Sequence, residues 1–141
     1  MRSAGGVFVG VFDLFGKKPV SSEFQYDLEC SMHPIRLPAF KEDFIVLNVS
    51  LQNTSDQPLL TSLVLAVPKT IGFDRTALQQ EHETRLGELP AGESREFSFK
   101  IWSTQRTRPG SYPLRVYAVS HYRDYGHVLN EVRKTIDLRV E

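Results

Sequence analysis

The residues best suited to chemistry lie in one short stretch near the end of the chain: His121, Tyr122, Arg123, Asp124, Tyr125, Gly126 and His127. Imidazole and carboxylate groups bind zinc or nickel, and His121 and His127 would face each other across a hairpin tip. Tyrosine, arginine and histidine together are also typical of protein-binding hot spots on exposed loops. We favour a partner-binding loop that uses every residue of the stretch except Gly126. The alternative is a metal-dependent site formed by His121, Asp124 and His127.

A second candidate is the apolar N-terminal segment, residues 1–20, which is predicted to be separate from the domain that follows. Phe8, Phe12 and Phe15 would share one stripe if the segment were helical, although several glycines weaken a helix there. The segment could pack on its own domain, enter a groove on a partner or lie on a membrane surface. Two lysines add only about 1 kcal/mol each at an anionic surface, so membrane association is not expected. Packing on the domain and binding a partner both stay open, and Phe8, Phe12 and Phe15 are the residues predicted to contact a partner.

The sequence contains none of the common catalytic motifs. There is no G-x-S-x-G elbow, P-loop, dinucleotide-binding fingerprint, H-E-x-x-H or C-x-x-C. The single cysteine, Cys30, lies in an alternating apolar stretch and is interpreted as a buried structural thiol. We therefore expect a protein that is not an enzyme and needs no cofactor.

Composition limits the classes of partner. The 141 residues include 17 basic and 17 acidic side chains, so no net charge attracts a nucleic acid, and a nucleic-acid partner is not expected. The N-terminal run is broken by glycines and has no cleavage site of a secretory signal, and no cysteine pair is available for a disulfide. The expected compartment is the cytoplasm.

The elements that must position these residues are strands, because apolar residues recur with period two. Strands are predicted at residues 23–30, 44–52, 59–67, 84–86, 95–102 and 112–121, with a last one ending at residue 140. Between residues 69 and 83 the alternation lapses, which predicts a long connection with room for one or two helical turns. About seven strands separated by turn signals predict an all-β, immunoglobulin-like antiparallel two-sheet sandwich over residues 21–141.

Three stretches resemble immunoglobulin-like domains of the CARDB and NEW3 type, often found in archaeal and bacterial proteins. They are Leu47 to Pro58, Leu86 to Ser94 and Arg108 to Val116, and the resemblance spans residues 46–140. It implies the same sandwich, a tyrosine corner at Tyr112 and an archaeal or bacterial origin. Such domains are usually adhesion, docking or spacer modules without catalysis.

The function expected from the sequence is a non-catalytic protein-binding or docking module that presents loops on a rigid sandwich. A further alternative is a structural subunit that self-associates through an edge strand, since open sandwiches leave strand edges that can pair with another copy. The identity of the partner is not encoded in any motif.

Overall fold

A computed structural model describes residues 25–141 of the chain. These residues form nine strands: β1 (Tyr26–His33), β2 (Arg36–Leu37), β3 (Asp43–Asn53), β4 (Leu59–Ala66), β5 (Ile71–Gly72), β6 (Glu81–Leu89), β7 (Ser94–Ser103), β8 (Gly110–His121) and β9 (Val128–Val140). One sheet has the order β1-β3-β7-β5 and the other the order β2-β9-β8-β4-β6. All pairings are antiparallel except the short one between β2 and β9. No helix occurs within this part of the chain.

The predicted two-sheet sandwich is confirmed, but the strand count differs. Seven strands are at least eight residues long, and β2 and β5 add two pairings of two residues each. Two residues are too few to produce an alternating pattern, so neither strand was predicted. Residues 73–80 are a connection without helical turns, and β6 is longer than expected. Because β6 is an edge strand with many exposed charges, it lacks a clear apolar period.

The core lies between the sheets and follows the alternation of the central strands. Fully buried positions on facing strands include Leu47 and Leu51 of β3, Leu63 of β4, and Leu114 and Val116 of β8. A buried hydrogen bond of 2.7 Å between the hydroxyl groups of Tyr26 and Thr61 joins β1 of one sheet to β4 of the other. The predicted N-terminal segment, residues 1–20 with Phe8, Phe12 and Phe15, lies outside the residues that the structure describes.

Two polar residues fix the ends of strands. The Tyr112 hydroxyl donates a hydrogen bond of 2.7 Å to the carbonyl of Arg108, four residues earlier, which matches the tyrosine corner of immunoglobulin-like sandwiches. At the other end, the amide nitrogen of buried Asn53 donates to the carbonyls of Gln57 and Leu89, at 2.9 Å each. Its amide oxygen accepts from the backbone and the hydroxyl of Ser55 at 2.9 and 2.7 Å. Asn53 therefore closes β3 and joins the following turn to the end of β6.

We expect Asn53→Ala to lower the free energy of unfolding by about 2–4 kcal/mol, because it leaves buried carbonyl groups without a donor. Urea denaturation measures this change. Asn48→Ala is the matched control: Asn48 is exposed and accepts one hydrogen bond, from Ser98, so its loss should change stability by less than about 0.5 kcal/mol. Equal effects of the two substitutions would contradict this role of Asn53.

Candidate functional site

The stretch that the sequence singled out forms the connection between β8 and β9, at residues 122–127. The Tyr122 amide donates to the carbonyl of His127 at 2.8 Å, and the His127 amide donates back to the carbonyl of Asp124 at 3.1 Å. Arg123 has a φ angle of 72°, in the left-handed region that arginine rarely adopts. The predicted hairpin tip is therefore present, and its backbone is closed by its own hydrogen bonds.

Asp124 organises the tip from within. One of its carboxylate oxygens accepts the Gly126 amide at 2.9 Å and lies 2.8 Å from Nδ1 of His127. The hydrogen bond from His127, and then that from Gly126, hold the pKa of Asp124 below its ordinary value. Both side chains are exposed, so this pair shapes the loop and contributes little to overall stability.

His121 lies at the base of the loop and is only 7% exposed. Its Nε2 lies 2.7 Å from the hydroxyl oxygen of Ser62 on β4, while its Nδ1 is buried without a hydrogen-bond partner among residues 25–141. Burial lowers the pKa of His121, mainly because the charged imidazolium would lose its hydration. His121 is therefore neutral near pH 7 and positions the loop from below.

Tyr125 folds back from the loop onto the neighbouring strands. Its hydroxyl oxygen accepts the backbone amide of Gly87 on β6 at 2.8 Å. Its ring meets the His121 ring edge to face at 5.0 Å, and the Arg85 guanidinium lies 4.7 Å from the ring centre. Gly87 follows a register shift in β6 and has a φ of 73°, which glycine adopts without strain. Tyr125 thus fastens the loop to the edge strand of the sheet.

The side chains left for a partner are those that point away from the domain. Tyr122 is 55% exposed, and the Arg123 guanidinium lies 5.2 Å from the centre of its ring. Val128 and Leu129, the first residues of β9, are 62% and 51% exposed and directly follow the loop. We name Tyr122, Arg123, Asp124, His127, Val128 and Leu129 the hairpin surface.

Sequence reasoning placed the first four of these residues in the site and missed the last two. Val128 and Leu129 are adjacent apolar residues, so a strand cannot turn both of them toward one core. The two adjacent apolar residues were therefore the sequence signal that could have predicted an exposed apolar side chain here. His121 and Tyr125 were also predicted to bind the partner, whereas the structure shows them holding the loop in place.

The metal-dependent alternative finds no support in the geometry. Within residues 25–141 no three histidine, cysteine, aspartate or glutamate side chains are grouped so as to hold a metal ion. Nε2 of His121 contacts Ser62, whereas Asp124 and His127 contact each other. Cys30 is partly buried against the core, and burial raises the pKa of its thiol to about 11, as fits a structural thiol.

The strand order and the tyrosine corner define an immunoglobulin-like β-sandwich with an end loop as its candidate site. Similar solved structures include a CARDB domain of a Pyrococcus furiosus protein in complex with di-metal ions, at 15% identity and a TM-score of 0.49, covering 83% of this chain and 94% of that one. A CARDB domain is thus among the similar structures, as the sequence resemblance predicted.

The chain is also similar to part of the Pseudomonas fluorescens alkylpurine DNA glycosylase AlkC, at 14% identity and a TM-score of 0.53. That match covers 83% of this chain and 30% of the glycosylase, and it shows a shared fold. A Bacteroides uniformis beta-glucuronidase is similar over 79% of this chain and 13% of its own, at 16% identity and a TM-score of 0.48. No protein-family model and no curated protein matches the chain.

We expect stability to fall as the pH drops below about 6.5, the ordinary pKa of histidine, because of His121. Since its pKa is lower in the folded protein, the unfolded chain takes up the proton first, so acid favours unfolding until the folded pKa is passed. His121→Gln should reduce this dependence when melting temperatures are compared between pH 7 and pH 5.

His33→Gln is the control, because the side chain of His33 is exposed and contacts no hydrogen-bond partner within the described residues. Asp124 contributes in a separate pH range. Because its pKa is lowered in the folded protein, protonation of Asp124 reduces stability only below its ordinary pKa of 3.8. If His121→Gln and the unsubstituted protein lost stability equally between pH 7 and pH 5, His121 would not be the buried group responsible.

Proposed function

We propose that this domain is a non-catalytic protein-binding module whose hairpin surface contacts the partner. The observation that carries the proposal is the combination of exposed apolar and charged side chains with a loop that is fixed at its base. Tyr122, Val128 and Leu129 are three of the six large hydrophobic residues that are exposed among residues 25–141. They lie on one hairpin, next to Arg123, which is the composition expected of a hot spot.

Rigidity strengthens the proposal. The Tyr125 hydroxyl, the His121 imidazole and the Asp124 carboxylate each hold the loop, through Gly87, Ser62 and His127 respectively. A loop that is ordered before binding loses little conformational entropy when the partner arrives. His121 and Tyr125 are turned away from solvent, but together with Asp124 they support binding because they keep the loop ordered.

The exposed side chains indicate the chemistry of the partner. Tyr122 would fill a shallow apolar depression, and Arg123 would lie beside a carboxylate at its rim. The Arg123 guanidinium already rests on the Tyr122 ring, so both groups would be buried together as one anchor.

The N-terminal segment belongs to the same proposal. Its chain reaches the described domain at Gln25, whose carbonyl accepts the Thr54 amide at 2.9 Å, at the same end as the hairpin loop. Phe8, Phe12 and Phe15 are therefore proposed as a second set of contacts for the same partner.

A photo-reactive phenylalanine in place of Tyr122 should form a covalent link to one specific partner in a native lysate, and the purified partner then allows affinities to be measured. We expect Tyr122→Ser combined with Arg123→Asn to weaken binding about thirtyfold or more, because both belong to the anchor. Asparagine tolerates the left-handed backbone at position 123, so the loop should keep its shape.

Two controls make this measurement specific. Tyr117→Ser with Arg133→Gln changes the same residue types on paired strands away from the loop, and should leave the affinity unchanged within about twofold. Tyr125→Phe should weaken binding only modestly, through a looser loop. Unchanged affinity of the Tyr122→Ser/Arg123→Asn variant for the cross-linked partner would exclude the hairpin surface.

A further inference from the structure

The end of the sandwich opposite the hairpin surface carries exposed apolar side chains on separate segments. Ile35, Phe40 and Leu78 are 62%, 58% and 81% exposed. With the three in the hairpin surface, they complete the set of exposed large hydrophobic residues in the described part of the chain. We name this end, made of segments 34–42, 67–80 and 104–109, the basic end.

Hydrogen bonds and an ion pair hold the three segments together. The Phe40 amide donates to the carbonyl of Thr107 at 2.7 Å, and the Thr107 hydroxyl donates to the carbonyl of Thr70 at 2.6 Å. An ion pair of 2.8 Å joins Arg75 to Glu42. The apolar side chains therefore project from one connected platform.

Charge is distributed unevenly between the two ends. The three segments of the basic end have six cations and two carboxylates, namely Arg36, Lys41, Lys69, Arg75, Arg106, Arg108, Glu42 and Asp74. Glu141, which pairs with Arg36, adds a third carboxylate at this end. Four of these cations are exposed and form no ion pair within residues 25–141: Lys41, Lys69, Arg106 and Arg108. The loops at the opposite end, residues 54–58, 90–93 and 122–127, have one arginine and three carboxylates. The zero net charge of the whole chain conceals this separation.

Backbone strain is concentrated at the basic end. Four described residues other than glycine have a left-handed φ angle, and three of them are Phe40, Thr70 and Ala77, at 58°, 74° and 52°. Such conformations cost free energy and persist where surrounding structure enforces them, commonly at functional surfaces. Here the Thr107 network enforces the conformation of the segment that exposes Phe40.

From these observations we infer that the basic end docks on the surface of an anionic lipid bilayer, with the Ile35, Phe40 and Leu78 side chains in the interface and the unpaired cations at the lipid phosphates. Apolar side chains with neighbouring lysine and arginine residues bind such surfaces without spanning them. No helix in residues 25–141 is long and apolar enough to cross a bilayer.

The arrangement fits a lipid surface better than a protein. Ile35 and Phe40 lie on segment 34–42 and Leu78 lies on segment 67–80. Leu78 borders an open, polar cleft of about 660 Å³ whose walls include Lys69, Arg75 and Arg106. A protein interface would instead have a continuous apolar centre. The N-terminal lysines and the net charge of the chain argued against membrane association, but neither reflects the local excess of cations at this end.

Vesicle sedimentation of the full chain tests the inference. Binding to vesicles of phosphatidylcholine with about one third phosphatidylserine should be at least about tenfold stronger than binding to phosphatidylcholine alone, and should weaken as salt is added. Lys41→Gln/Lys69→Gln/Arg106→Gln should weaken binding about a hundredfold, at about fivefold for each cation. Phe40→Asn with Leu78→Ser should weaken it about tenfold or more, and asparagine suits the φ angle of position 40.

Matched controls keep the same number of changes away from the basic end. Arg115→Gln/Arg133→Gln/Lys134→Gln removes three exposed cations from the middle of β8 and β9, and Val128→Ser/Leu129→Ser removes two exposed apolar residues from the hairpin surface. Both should bind vesicles within about threefold of the unsubstituted protein. Melting curves of every variant verify that each is folded.

The inference is overturned if the protein does not prefer anionic vesicles, or if the controls weaken binding as much as the variants of the basic end. It is also overturned if Phe8→Ser/Phe12→Ser/Phe15→Ser alone abolishes binding, because the N-terminal segment would then be the membrane contact. These results do not depend on the hairpin surface, so the protein-binding proposal can fail or succeed separately.

Discussion

The structure depends on one constraint: the central strands must bury every second side chain between two sheets. The residues that satisfy it, such as Leu47, Leu63 and Val116, are fully buried in the middle of the sandwich. Because the inward positions of these strands must be apolar, side chains of varied chemistry are confined to the outer faces and the connections. Both candidate surfaces are accordingly found at the ends of the strands.

Buried polar groups connect this core to the loops. Asn53 satisfies carbonyls from a turn and from β6, and His121 lies against Ser62 beneath the hairpin. Such groups are costly to bury unless they are paired, so each one fixes the position of the segment that it contacts. Nδ1 of His121 is the exception among the described residues, and its burial explains the lowered pKa of the imidazole.

The corner at Tyr112 was implied by the family resemblance. The alternation of side chains was sufficient to predict most of the long strands, because that pattern is local in sequence. It could not predict β2 or β5, which exist only through pairing with β9 and β7. The loop residues of the candidate site were also predictable by type. The inward roles of His121 and Tyr125 were not, since they depend on contacts with Ser62 and Gly87, which are distant in the sequence.

The basic end was hidden for the same reason. Its cations are dispersed over about half of the chain, so no short stretch of the sequence has a marked excess of positive charge. The pairing of strands brings these cations to one end of the sandwich. Summed over the whole chain, the charges cancel. The distribution of charge in space, rather than its total, therefore decides which surfaces this domain can bind.

The pairing of β8 with β9 has a mechanical consequence. This ladder extends from Gly110 and Val140 at the basic end to His121 and Val128 beside the hairpin tip. Hydrogen bonds in an antiparallel pair lie across the strands, so sliding β8 along β9 would load all the rungs of this ladder together instead of breaking them singly. The two candidate surfaces are thus connected through one continuous pair of strands.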